Sequence, residues 1–143
     1  MSSPLSPPER LARLRLARSE NVGPVTFRDL LDHFGNAVAA LDALPDLAAR
    51  GGAKRAMKVA PAADAEAEIA TTRKIGGELL VLGDDAFPAR LATLDPPPPV
   101  IAVAGDIALT SGKLVAISCP PTPPGAGPPS ALHTAPRTRC RAL

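Results

Sequence analysis

Aromatic side chains are almost missing from these 143 residues, which hold three Phe, no Trp and no Tyr. A core built from this chain must rest on Leu, Val, Ile and Ala, and it will be thin for the length. Cysteine and histidine are as scarce. Cys119, Cys140, His33 and His133 are the whole supply, and neither their number nor their spacing makes a zinc site or a disulfide framework. No apolar run approaches the roughly 18 residues that would suggest a membrane span. The N-terminus mixes arginines and an acid with its leucines and has no signal-peptide core. These absences predict a cytoplasmic protein with no membrane partner, no metal and no other cofactor. A glycine-rich phosphate loop is missing too, since Gly105 and Gly112 lack the GxGxxG spacing. No nucleophile, base or carboxylate pair can be assigned, and Asp84-Asp85 read as turn residues. The chain is therefore read as a non-enzyme.

The formal charge of +2 invites a nucleic-acid reading that its distribution does not support. Arg137, Arg139 and Arg141 lie in a C-terminal stretch without a single acid, which leaves residues 1–118 with 13 basic and 14 acidic groups. Global charge gives no support to phosphate binding there.

What is present changes character near Ser118. Before it, helical periods, caps and short apolar runs succeed one another. From Cys119 to Leu143 come 25 residues with seven prolines, no acid and no apolar period, which predicts disorder.

The first half reads as short, well-punctuated helices. Ser6-Pro-Pro-Glu9 has the form of a capping box with Pro at the first helical position. The helix it opens runs to about Arg18 and should bury Leu11 and Leu14, with Ala17 and Leu16 at the margin. Gly23 is read as permitting a turn that other residues resist, and Pro24 pre-sets the next helix. There Phe27, Leu30, Leu31 and Phe34 share one face, Thr26 and Asp29 form a capping pair, and Gly35 ends the helix. Asn36 caps a third helix carrying Ala37, Ala40, Leu41 and Leu44, and Pro45-Asp46 should restart a short fourth piece that closes at Gly51-Gly52. A helix, tight turn and helix of this kind resembles a helix-hairpin-helix, in which backbone N–H groups at the turn meet a DNA phosphate. The candidate DNA-binding residues are Gly23, Val25 and Arg28, with charge from Lys54, Arg55 and Lys58. Such hairpins carry a second glycine two residues after the first; here Val25 stands in that place.

After the basic connector Ala53–Pro61, helix is predicted from Ala62 to Lys74, acids first and bases last, as the helix dipole favours, with Ile69 as its apolar anchor. Strands follow at Glu78–Leu82, Val100–Ala104 and Leu114–Ile117. Unalternating apolar strands predict an α/β fold with a parallel or mixed sheet covered on both faces.

The order of these segments resembles the bacterial DNA-processing protein A family (DprA, also called Smf). Asn21-Val-Gly-Pro-Val-Thr-Phe-Arg-Asp-Leu-Leu, His33-Phe-Gly-Asn-Ala and Ala39-Ala-Leu are similar to its N-terminal helical domain. Gly83-Asp-Asp-Ala-Phe-Pro-Ala-Arg-Leu, Asp95-Pro-Pro-Pro-Pro-Val-Ile-Ala-Val-Ala-Gly-Asp and Val115-Ala-Ile are similar to later family segments. The resemblance covers roughly residues 9–118. It implies a SAM-like helical domain over 8–60, the incomplete start of a Rossmann-like domain over 61–118, and a tail over 119–143. It also implies single-stranded DNA as partner, RecA loading in natural transformation and recombination, and a homodimer. The family's signature loop, Val-Gly-Ser/Ala-Arg-x-x-Ser-x-x-Gly, should follow Val115-Ala-Ile117. Instead there stands Ser118-Cys-Pro-Pro-Thr-Pro-Pro-Gly-Ala-Gly, with no arginine and few N–H donors. Codons for Pro121-Thr-Pro-Pro124, read from their third base, can encode Asn followed by Ala or Ser, so a frameshift accounts for the change. The chain is thus expected to be a truncated, impaired copy, folded over its helices and poorly packed over 78–118. The alternative is a free-standing helical module that binds a protein and no DNA.

Overall fold

The computed structural model describes residues 5–50 and 58–112, the side chains of 48–50 and 111 excepted. Helix α1 (Pro7–Arg18) starts where Ser6 Oγ accepts the Glu9 N–H at 3.4 Å, with Pro7 in the first turn. Only half of the expected capping box forms, because the Glu9 carboxylate turns away toward another helix. Helix α2 (Pro24–Phe34) stops at Gly35, whose φ of 77° lets its N–H return to the Leu31 carbonyl at 2.8 Å. Its start lies at Pro24 with no side-chain cap, so the expected pairing of Thr26 with Asp29 does not occur: both already sit inside the helix. Asn36 Oδ1 accepts from Ala39 N at 2.8 Å and opens α3 (Ala37–Arg50).

No break occurs at Pro45. It lies inside α3, which continues to Arg50, although proline removes one backbone bond and crowds the preceding turn. Leu41 and Leu44, buried just before it, hold the turn against α1, and this packing outweighs the local preference for a new start.

The first three helices enclose Ala12, Leu16, Phe27, Leu30, Ala37, Ala40, Leu41 and Leu44. Leu16 and Phe27 are wholly buried, the latter contributing about 2–3 kcal/mol by its apolar area. Leu16 was expected at the margin. Its position is explained by α1 being buried on two faces: Ala12 and Leu16 face the helices, while Leu14 faces a second cluster with Ala65, Leu79 and Val81.

That second cluster is roofed by α4 (Ala62–Lys74), with Ala65 buried and Ile69 half-buried against it. Its floor is β1 (Gly77–Val81), which pairs antiparallel with β2 (Val100–Ala104) in the register Leu79↔Ala102. Between the strands the chain makes one turn of helix, α5 (Ala89–Ala92), and a proline run, then folds back alongside β1. This connection lays no helix across the sheet, so the pair is antiparallel, and an all-parallel arrangement is excluded. The prediction of poor packing does not hold for β1, whose Leu79, Leu80 and Val81 are buried. In β2, Ala102 and Ala104 are exposed, contrary to the expected cover on both faces. A single 3₁₀ segment, Ile107–Ser111, follows. The third expected strand, Leu114–Ile117, and the tail lie outside the described residues. Among the described residues no helix is long and apolar enough to cross a membrane.

Four arginines on α1 tie these parts together. Arg10 bonds Asp84 Oδ2 at 3.0 Å and the Leu79 carbonyl at 2.7 Å. Arg13 donates to the Leu82 carbonyl, Arg15 to the Ala60 carbonyl at 2.9 Å, and Arg18 to Glu68 at 2.7 Å. Since Leu82 N pairs across to Pro99 O, the backbone groups of Leu79 and Val81 point away from β2. Arg10 takes the Leu79 carbonyl and Asp84 Oδ2 the Val81 N–H, at 2.9 Å. The outer edge of β1 is thereby occupied by side chains rather than left open for another strand. At Gly83 φ is 98°, a backbone conformation that strains any residue with a Cβ, and an added Cβ would also displace the end of the Arg13 side chain, 2.5 Å away.

Glu9 is the buried acid of α1. Its carboxylate accepts from Ala37 N at 2.9 and 3.0 Å and from Val38 N at 3.4 Å, and it pairs with Arg13 Nε at 2.9 Å. It is the N-terminal cap of α3, supplied from 28 residues away. Glu9→Ala should cost about 2–4 kcal/mol in urea unfolding, since it removes a cap and takes the counter-charge from the half-buried Arg13 guanidinium. Glu9→Gln, which keeps one acceptor, should cost about half as much. Equal stability of all three proteins would show that the carboxylate does not hold α3.

Candidate nucleic-acid interface

The link between α1 and α2 is built from hydrogen bonds on one side and left bare on the other. Ser19, buried, closes α1: its N–H returns to the Leu16 carbonyl at 3.2 Å and its Oγ donates to the Arg15 carbonyl at 2.8 Å. The same Oγ accepts from Ala60 N at 3.1 Å. Glu20 N donates to the Lys58 carbonyl at 3.0 Å, and Glu20 Oε2 accepts from Lys58 N at 3.3 Å. The segment before α4 thus pins the turn from behind.

In front, the three expected residues fall at the start of one helix. Gly23 precedes α2, Val25 lies in its first turn and is 48% exposed, and Arg28 follows one turn later. The carbonyl of Gly23 accepts from Phe27 N at 2.8 Å, and no side chain caps the first turn. The first turn of a helix has N–H groups without intrahelical acceptors. Pro24 has none to offer, which leaves Val25 and Thr26, both exposed, as the outward donors. The helix dipole adds partial positive charge at the same place.

Gly23 does not have the role expected of it in the turn. Its φ is −86° and its ψ 179°, an extended conformation open to any residue. The left-handed position belongs to Asn21, with φ 60°, a residue type that tolerates it. Among the described residues, a Cβ built on Gly23 meets nothing within 4 Å. Neither the backbone nor packing among the described residues requires glycine at position 23.

Arg28 is brought to this helix start but is not free. Its guanidinium bonds the Asp95 carboxylate, from the segment between α5 and β2, and lies 3.6 Å from Asp29 Oδ1. The hydrogen bond that Arg28 donates to Asp95, then the charge of that carboxylate, hold the Arg28 proton more tightly than in free arginine. Of the basic connector, Lys54 and Arg55 lie outside the described residues, and Lys58 is exposed. His33, also exposed, stacks edge-on against Phe34 at the far end of α2, ring centroids 4.7 Å apart. The sequence reading missed Asp95 as a partner of Arg28. Opposite charges 67 residues apart leave no periodic signal.

The family described as "DprA-like N-terminal HHH domain" matches residues 7–71 of the chain, a span that covers α1 to α3 and most of α4. No curated protein matches the chain.

The conformations of the turn make a stability prediction. Gly23→Ala should leave the unfolding midpoint unchanged or raise stability by about 0.4–1 kcal/mol, since it only restricts the unfolded chain. Asn21→Val, forced into the left-handed region, should cost about 1–3 kcal/mol. A large loss on Gly23→Ala would show that the turn needs its glycine after all.

Proposed function

We propose, from the match of residues 7–71 to the family described as "DprA-like N-terminal HHH domain", that the chain derives from a cytoplasmic DNA-processing protein of the DprA type. In this reading the intact protein binds single-stranded DNA, loads RecA in natural transformation and recombination, and works as a homodimer. Residues 8–60 are its SAM-like domain and residues 61–118 the beginning of a Rossmann-like one, with β1 and β2 as strands of a mixed sheet.

The observation that carries the DNA contact is the uncapped start of α2. The exposed residues Val25 and Thr26, whose N–H groups no side chain caps, stand beside a glycine that the described residues do not explain. A phosphate oxygen could approach Gly23 more closely than any residue with a Cβ would allow, and Arg28 lies one turn away to supply charge. The site is small and carries one cation, so affinity would be low and steeply sensitive to what surrounds Arg28.

That surrounding also supports a second reading. Two carboxylates on Arg28 leave the helix start with no net positive charge, as suits a helical module that binds a protein and no DNA. Binding of a labelled single-stranded oligonucleotide, followed by fluorescence anisotropy over a salt series, separates the two. DNA contact predicts affinity that falls with salt, a marked loss for Arg28→Ala, and a loss for Gly23→Ala at unchanged stability. Binding indifferent to all three, or none at all, favours the protein-binding module.

We further propose that the sequence after Ser118 is out of frame, because acids and apolar period stop together where the family's signature loop should begin. Sequencing the gene across codon 118 should reveal, in another frame, a Gly-Arg-x-x-Ser-like loop and further α/β segments. If neither alternative frame contains them, the proline-rich stretch is authentic and the frameshift is wrong.

A further inference from the structure

The Asp95 carboxylate has one hydrogen-bonding partner among the described residues, and it is Arg28. The Asp95 side chain is otherwise 86% exposed, and that of Arg28 39% exposed. The contact therefore lies at the surface, and nothing in the core depends on it. Asp95 is presented by a defined support. Behind it Thr93 N bonds the Ala89 carbonyl at 3.2 Å and Leu94 N the Leu91 carbonyl at 3.3 Å. Ahead of it runs Pro96–Pro99, in which Pro97 is buried, so the loop is anchored on both sides of the acid.

A carboxylate and a phosphate offer a guanidinium the same thing, a pair of anionic oxygens that accept its N–H groups. We propose that Asp95 is an intramolecular occupant of the phosphate position on Arg28, a gate that a single-stranded nucleic acid must displace to bind. The proposal rests on the DNA contact proposed for Arg28 and gives that site a regulation. Because the loop stays anchored when the pair opens, Asp95 remains within reach and competes at a fixed effective concentration. Exposed ion pairs of this kind are weak, so the gate lowers affinity severalfold and does not abolish binding. It also acts selectively. An isolated anion gains little by replacing one carboxylate with another acceptor, whereas a strand that also reaches the N–H groups of Val25 and Thr26 gains contacts that Asp95 cannot make. Asp29, 3.6 Å from Arg28 on the same helix, stays in place in either state and keeps the guanidinium oriented.

The test is a double-mutant cycle on the full chain, with a labelled oligothymidylate as probe and anisotropy read at low and moderate salt. Asp95→Asn keeps the shape and removes the charge. It should tighten binding about two- to fivefold at low salt, and the gain should shrink as salt rises. In an Arg28→Ala background the same substitution should change nothing, because the occupied group is gone. Circular dichroism should show Asp95→Asn folded as the parent, in keeping with its exposure. If Asp95→Asn binds no better than the parent while Arg28→Ala binds worse, the gate is wrong and the DNA contact stands. A gain that survives in the Arg28→Ala background marks a general charge effect and also overturns the gate. Should Arg28→Ala bind as well as the parent, or should no variant bind, the contact and the gate fall together.

Discussion

The carboxylate of Glu9 accepts the Ala37 and Val38 N–H groups while holding the guanidinium of Arg13, and Arg13 in turn donates to the Leu82 carbonyl beyond β1. One buried charge thus connects the start of α3 on one side of α1 to the end of a strand on the other. A buried carboxylate is tolerated only when its oxygens are satisfied and its charge is balanced. Here the first N–H groups of α3 and the Arg13 guanidinium do both. The arrangement fixes the rotation of α1 about its own axis. With Glu9 turned toward α3, Ala12 and Leu16 must face the helical core and Leu14 the hairpin, and the arginines at 10 and 13 are aimed at the edge of β1.

This explains which parts of the fold could be read from the chain and which could not. The bounds Ala62 and Lys74 of α4 were legible because charge order and flanking Pro and Gly all mark the same ends. The face of α2 was legible because Phe27, Leu30, Leu31 and Phe34 have a single period and a single partner. Helix α1 was misread in part because it has two partners. Its buried residues fall at 9, 12, 14 and 16, which no one-sided helical period describes, and a two-sided helix has no polar face to count from. Pro45 was misread for a related reason. A local rule predicts a break, but the energy that decides comes from Leu41 and Leu44 packing on residues some thirty positions earlier.

The candidate interface was legible in position and not in electrostatics. Gly23, Val25 and Arg28 do fall together at one helix start, as their spacing requires once a helix begins at Pro24. The state of Arg28 depends on Asp95, which the chain brings back only after α4, β1 and α5. Long-range ion pairs of this kind are fixed by the fold and by no local pattern. The same holds for Arg10, Arg13 and Arg15 of α1 where they donate to the carbonyls of Leu79, Leu82 and Ala60, since backbone acceptors have no sequence signature.

Glycine identity offers a way to separate folding from function in this small protein. Gly35 is needed because the backbone turns left-handed to end α2, and Gly83 because its φ of 98° disfavours any residue with a Cβ. Gly23 has neither excuse: ordinary dihedrals, open space around it, and the demanding conformation of the turn carried two residues earlier by Asn21. Folding would accept an alanine there. Gly23 thus departs from what folding needs, and the contact proposed for the start of α2 gives that departure a reason outside the folded chain. In the proposed function, the ligand is an anion approaching the α2 N-terminus, for which a missing Cβ makes a difference. With Asp95 set on the next cation along, the site would be permissive to close approach at Gly23 and guarded by charge at Arg28.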